Sequence, residues 1–209
     1  MRHSTSLITT ERQADAISRQ ITSSLDAYTN DRSLNKKEIT DLSPVYPLYL
    51  VSDSILTKLL YANRLTTADM ALVRQKHRAL RLRVDAFLKT GVLSVISPLD
   101  RMRQRDEPPQ VDLFGLPLPS LTFSPDLFGE QIERLGRRLQ TERNLRVRSI
   151  KWAPFDDLRM ISLRERRILI EKRDAPSLLL EAHDETFCRC LNDYVERIHE
   201  TSEPFLDLD

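Results

Sequence analysis

The chain has 209 residues, 40% of them hydrophobic and 30% charged. No stretch approaches the roughly 18 apolar residues of a membrane span, so a water-soluble chain is expected. Four glycines are too few for the hairpin turns of an all-β fold or for a glycine-rich phosphate cradle, while abundant Leu, Arg, Glu and Ala favour helices, so the composition predicts an all-α protein. The 32 basic and 31 acidic residues nearly cancel, yet the chain through Arg105 holds 17 basic and 10 acidic groups and the remainder 15 and 21. Halves of +7 and −6 suggest two units with differently charged surfaces.

Residues 1–37 are polar, with isolated apolar positions at Ile17, Ile21 and Leu25, and are expected to be a mobile leader. They lack the apolar core of a secretory signal, which makes a cytosolic, reducing location the default. From Leu42 the apolar density rises through Tyr46, Leu48, Ile55 and Leu59, predicting a buried helix that starts near Tyr46 or Leu48, after Pro44 and Pro47. Thr66 with Asp69 reads as the N-terminal cap of a second helix, whose stripe of Val73, Leu80, Val84 and Phe87 runs to a stop at Thr90 and Gly91. Two helices joined so closely predict an antiparallel hairpin, followed by a short helix from Ser97 and Pro98 to Arg105. Residues 38–107 thus form one unit.

Pro108, Pro109, Pro117 and Pro119 mark residues 108–121 as a semi-stiff linker. Ser124, Pro125 and Asp126 open a helix with Phe128, Ile132, Leu135 and Leu139 on one face. Three more helical pieces are expected to start at Ala153 and Pro154, at Ser162 with Glu165, and at Pro176, the last carrying Leu180, Phe187, Leu191, Tyr194 and Ile198. A four-helix bundle over 122–203 and a tail at 204–209 complete the expected organisation.

Catalytic and metal signatures are weak. His183, Cys188, Cys190 and His199 are the nearest approach to a metal set, but Cys-x-Cys on a helix points two ways, and no metal or cofactor is expected. His183 is poorly placed to activate Cys188, and His77 reads as a packing residue. Asp156 and Asp157 suit the positive end of a helix. Phosphate-loop, dinucleotide and acyl-transfer signatures are missing from the sequence, so an enzyme is not expected and no residue is assigned catalysis. Arg74, Lys76, Arg78, Arg81 and Arg83 fall within ten residues, and Arg134, Arg137, Arg138, Arg143, Arg146 and Arg148 within fifteen. A basic helical nucleic-acid-binding protein is therefore the alternative reading, weighed against by the lack of stacking aromatics between Arg74 and Arg83.

Leu42, Val45, Tyr46, Asp53, Tyr61 and Leu65, followed by Ser97, Pro98, Leu99, Arg101, Met102 and Pro108, form an ordered pattern. Through it the stretch from Glu38 to Pro108 resembles the N-terminal half of the vacuolar protein sorting-associated protein 28 family, a subunit of the endosomal sorting complex ESCRT-I. In place of the Cys usual before that proline stands Ser97, and Met70 replaces an aromatic. The resemblance implies a non-catalytic adaptor in the cytoplasm, peripheral to endosomes. Its first half would lie beside the ubiquitin-binding subunit and a third helical subunit. Its C-terminal bundle would engage ESCRT-II or another downstream component in sorting ubiquitylated cargo into multivesicular bodies. The hairpin's apolar load points the same way, because two helices bearing Tyr46, Leu48, Ile55, Leu59, Val73, Leu80, Val84 and Phe87 cannot hide all of it against each other. These eight residues are the expected assembly surface; the contact residues on the bundle are not identified.

Overall fold

Residues 37–42 and 91–97 lie side by side as parallel strands, which overturns the all-α expectation. The computed structural model describes residues 6–7, 11–99, 102, 108–113, 116, 118, 120–150, 158–164, 166–172 and 178–205. Five helices accompany the sheet among these: α1 (Glu11–Asn30), α2 (Asp53–Ala62), α3 (Thr67–Leu88), α4 (Pro125–Thr141) and α5 (Glu185–Thr201). The principal strands are β1 (Ser6–Leu7), β2 (Lys37–Leu42), β4 (Gly91–Ser97), β7 (Leu145–Ser149), β8 (Leu158–Ser162), β9 (Ile168–Lys172), β10 (Leu178–Ala182) and β11 (Glu203–Pro204). They form one sheet in the order β1-β10-β9-β8-β2-β4-β7-β11. A smaller sheet joins β3 (Tyr46–Pro47), β5 (Gln110–Asp112) and β6 (Leu121–Thr122).

Strands β2, β4 and β7 run parallel, and each step between them passes through helix: α2 and α3 in the first, α4 in the second. Parallel neighbours need such crossovers because a two-residue hairpin cannot reverse the chain twice. The other half of the sheet is an antiparallel meander, β8 to β9 to β10, attached to β2 through β8. One sheet therefore runs across the supposed linker and draws the supposed leader into the same core, where Ile17 and Ile21 of α1 are buried. The four-helix bundle of 122–203 is replaced by two helices and the strands from β7 to β10. Ser162, expected to cap a helix, ends β8, and Leu180 lies in β10. The openings expected at Ala153 with Pro154, and at Pro176, lie outside the described residues.

Strand alternation divides the core between two faces. Ile39, Leu93, Val95, Leu145, Val147, Ile161, Leu169 and Leu179 belong to a large cluster with α1 to α4. Leu42, Ile96, Met160, Ile168 and Ala182, offset by one residue, join a smaller cluster with Cys188, Val195 and Ile198 of α5. Because helices cover both faces, β4 (GVLSVIS) reads as an almost continuous buried run.

Two of the expected helix starts are realised with their caps, whereas Ser97 and Ser162, expected to cap helices, end strands β4 and β8. Thr66 accepts from the backbone N–H of Asp69 to begin α3, and Ser124 accepts from that of Leu127 to begin α4, with Pro125 in the first turn. The helix expected from Tyr46 or Leu48 begins later. Tyr46 and Pro47 pair as a strand, Leu48–Leu50 make a single 3-10 turn, and α2 starts at Asp53. A buried amide holds that irregular segment: Gln131 donates to the Tyr46 hydroxyl (2.8 Å) and the Leu50 carbonyl (2.9 Å), and accepts from the Ser52 N–H (3.0 Å). Gly91 starts β4 where a Cβ would stand 2.5 Å from the Phe87 ring and 2.9 Å from the Lys37 carbonyl oxygen, so close packing requires glycine.

Candidate functional site

Helices α1 and α3 lie on the same face of the sheet but leave between them a cavity of about 250 Å³. Ile21 and Leu25 of α1 form one wall, Leu80, Val84 and Phe87 of α3 the other, and Ile39, Leu93 and Ile161 of the strands contribute from the sheet. Pro47, Leu48 and Tyr49 line it as well, and polar side chains stand among the apolar ones. Leu25, Leu80 and Val84 are only partly buried although they pack against the core, because their stripes face this space.

The spacing of four along Ile17, Ile21 and Leu25 identifies the stripe that turns α1 toward the sheet. Polar contacts hold the helix there. Gln20 and Ser24 donate to Glu181 of β10 at 2.8 and 2.7 Å, Lys76 of α3 reaches the Ser18 hydroxyl at 2.5 Å, and the Tyr28 hydroxyl bonds the backbone of Glu38. Arg167 closes on Glu181 as well, at 3.0 Å. These donors outweigh burial and hold the Glu181 carboxyl below its ordinary pKa.

Two ion pairs line the cavity. At its inner end, Arg159 of β8 grips Asp41 of β2 in a two-pronged contact, with Nε to Oδ1 at 2.9 Å and Nη2 to Oδ2 at 2.6 Å. Tyr49 donates to the same carboxylate at 2.5 Å. The pair is deeply placed, the Asp41 side chain 3% and the Arg159 side chain 11% exposed. Burial and the neighbouring Asp41 charge push the Tyr49 phenol well above its ordinary pKa. For Arg159 burial pulls the other way, but Asp41, Tyr49 and Glu171 prevail and its pKa is raised. The second pair, Arg83 with Asp26 at 3.4 Å, crosses from α3 to α1; both side chains are nearly half exposed, which marks the solvent end of the cavity.

Of the eight residues expected to form an assembly surface, Tyr46, Leu48, Ile55, Leu59, Val73 and Phe87 are buried within this chain. Tyr46 meets Phe123 and Phe128 edge-on, with ring centroids 5.8 Å away in each case. The sheet and α4 supply the enclosure that a two-helix hairpin lacks, so these side chains are not an exposed surface. The structure instead brings Leu48, Leu80, Val84 and Phe87 together on the cavity wall. His77 is buried: its Nε2–H donates to the Val51 carbonyl at 2.7 Å, Nδ1 is 3.4 Å from Asp53, and burial holds its pKa below the ordinary value.

The other singled-out groups separate. Cys188 lies on the buried side of α5, its thiol donating to the Ala182 carbonyl, while Cys190 is exposed. His183 approaches Glu181, and His199 lies in the last turn of α5. Arg134 pairs with Glu130, Arg138 bridges Asp85 and Glu142, and Arg148 bonds Ser202, so these three members of the second arginine cluster serve internal contacts. Asp41, Tyr49 and Arg159 escaped the sequence reading, since only the pairing of β2 with β8 joins partners 118 positions apart. No helix of the described residues is long and apolar enough to cross a membrane. No protein-family model matches the chain, and no curated protein matches its sequence.

Proposed function

We propose that the chain is a non-catalytic binding module for a small, uncharged, largely apolar molecule held between α1 and α3. The observation that carries this reading is the cavity whose walls are aliphatic and aromatic while its charges are matched one to one. At roughly 30 Å³ for each water-sized group, 250 Å³ takes about eight heavy atoms. That size is near the lower end of ligand pockets. Asp41 is met by Arg159 and Asp26 by Arg83, so a charged ligand would have to break an existing pair or enter without a partner. Thr22, Thr29 and Asn30 beside the Asp26–Arg83 pair offer a ligand hydroxyl or carbonyl its hydrogen bonds. Tyr49 is committed to Asp41 and keeps its proton, which supports binding rather than proton transfer.

The adaptor reading drew on apolar hairpin surface in excess of what one chain can cover. With six of those eight side chains buried at home, that support is gone, and the cavity is the better basis for function.

Thermal-shift and calorimetric titrations with 1-octanol, indole, octanoate and octylamine test the proposal. The two neutral probes should raise the melting temperature and bind one to one, the two ions should not, and Val84→Phe should remove the response. Failure of both neutral probes, or an unchanged response in Val84→Phe, would reject it.

A further inference from the structure

Helix α3 is apolar on two sides, and the second side is largely exposed, with Ala86 near its C-terminal end also lining the mouth of the cavity. Its buried stripe includes Val73, His77 and Phe87. About 140° around the helix, Ala68, Leu72, Gln75, Ala79, Leu82 and Ala86 follow spacings of four, three, four, three and four, the repeat of a coiled-coil seam. Leu72 and Leu82, at 38% and 64% exposure, are two of the four large hydrophobic side chains exposed among the described residues. Ten residues apart, the two leucines lie about 80° from each other around the helix and flank one seam.

We propose that this side of α3 pairs, antiparallel, with α3 of a second copy of the chain. The occupant follows from self-complementarity. About a two-fold axis beside position 77, Leu72 of each copy meets Leu82 of the other, Ala68 meets Ala86, and Gln75 meets Ala79. The two leucine layers supply apolar contact, and the alanines let the backbones approach closely. Charge agrees at the ends, where Asp69 of one copy faces Arg83 of the other. Arg83 is 3.4 Å from Asp26 in its own chain, but a guanidinium has N–H groups for two carboxylates. At the centre charge opposes: each exposed Arg78 faces its own copy, and so does Lys76, although the latter is drawn toward Ser18 of α1. A 22-residue helix spans about 33 Å and covers less than the roughly 800 Å² per partner of a standard interface, so association belongs in the micromolar range or weaker.

Sedimentation velocity of the full chain across concentration tests the inference. A concentration-dependent dimer is expected, strengthened by added salt, lost in Leu82→Glu and about twofold tighter in Arg78→Ala, where a like-charge contact is removed. Leu82 is exposed, so Leu82→Glu should keep the wild-type circular dichroism and melting temperature. In a Cys190→Ser background, Leu72→Cys combined with Leu82→Cys should oxidise to a covalent dimer while Leu72→Cys alone should not. A monomer at every soluble concentration, a dimer that survives Leu82→Glu, or cross-linking by Leu72→Cys alone would overturn it.

Discussion

The two faces of the sheet are covered differently. On one, α5 lays Cys188, Val195 and Ile198 directly onto Leu42, Ile96, Met160 and Ile168. On the other, α1 and α3 touch through polar contacts, Lys76 with Ser18 and Arg83 with Asp26, but leave Leu25, Leu80 and Val84 partly buried around a cavity. The same chain thus packs one face as a core and leaves room on the other, the expected division between a part that supports and a part that binds. The buried ion pair belongs to the roomy face, where Asp41 and Arg159 give the inner end of the cavity a rigid polar base.

Removing that base should have the largest effect. Asp41→Ala leaves the Arg159 guanidinium buried without its bidentate partner and the Tyr49 hydroxyl without its acceptor, and should cost about 3–5 kcal/mol in denaturant unfolding. A loss below about 1 kcal/mol would mean that Glu171, the cross-strand neighbour of Arg159, suffices as counter-charge. Next comes a direct contrast of the faces. Ile198→Ala, in the filled layer, should cost about 3 kcal/mol, and Leu80→Ala, already beside open volume, about 1 kcal/mol. Equal losses would erase the proposed difference in packing. Val84→Phe reverses the sign by adding contacts where space exists, and should raise stability by about 1 kcal/mol; destabilisation would show that α1 and α3 cannot accommodate the ring.

Capped helices were legible in the sequence because their signals are local. Thr66 with Asp69, Ser124 with Pro125, and the stop before Gly91 mark ends through groups only a few residues apart. The strands were hidden for three physical reasons. β9 and β10, ILIEK and LLLEA, are built of residues that also suit helices. Parallel strands connect through helices and need no glycine turns, so glycine scarcity did not exclude a sheet. In the turn between β8 and β9, Arg164 takes a φ of 33°, and Arg64 between α2 and α3 takes 53°, conformations usually left to glycine. The cavity was half legible. The stripe of α1 and the apolar positions Leu48, Leu80, Val84 and Phe87 could be read as inward-facing, but a hairpin without a sheet offered them no cover and suggested a partner instead. The Asp41–Arg159 contact depends on strand order, which single-chain periodicity does not encode.

The smallest effects concern protons, and they also divide between the faces. Burial holds His77 of α3 below its ordinary pKa despite its bond to Val51, and burial with Arg148 and Arg146 does the same to His199 of α5. An imidazole depressed in the folded state is protonated more readily in the unfolded chain, so its contribution is fully present above about pH 6.5 and is lost as pH falls below that. Glu181 is a depressed acid: its contribution is present above about pH 4.3 and is lost as pH falls through its folded value. Acidification should therefore lower the melting temperature in two stages, imidazoles first and the α1 anchor second. His77→Gln, which retains a donor for the Val51 carbonyl, should flatten the first stage more than His199→Gln, because His77 is the more deeply buried. Glu181→Gln should flatten only the second stage. If His199→Gln has the larger influence between pH 7 and 5, acid sensitivity resides on the filled face, and the looser packing around α1 and α3 does not extend to the buried polar groups of α3.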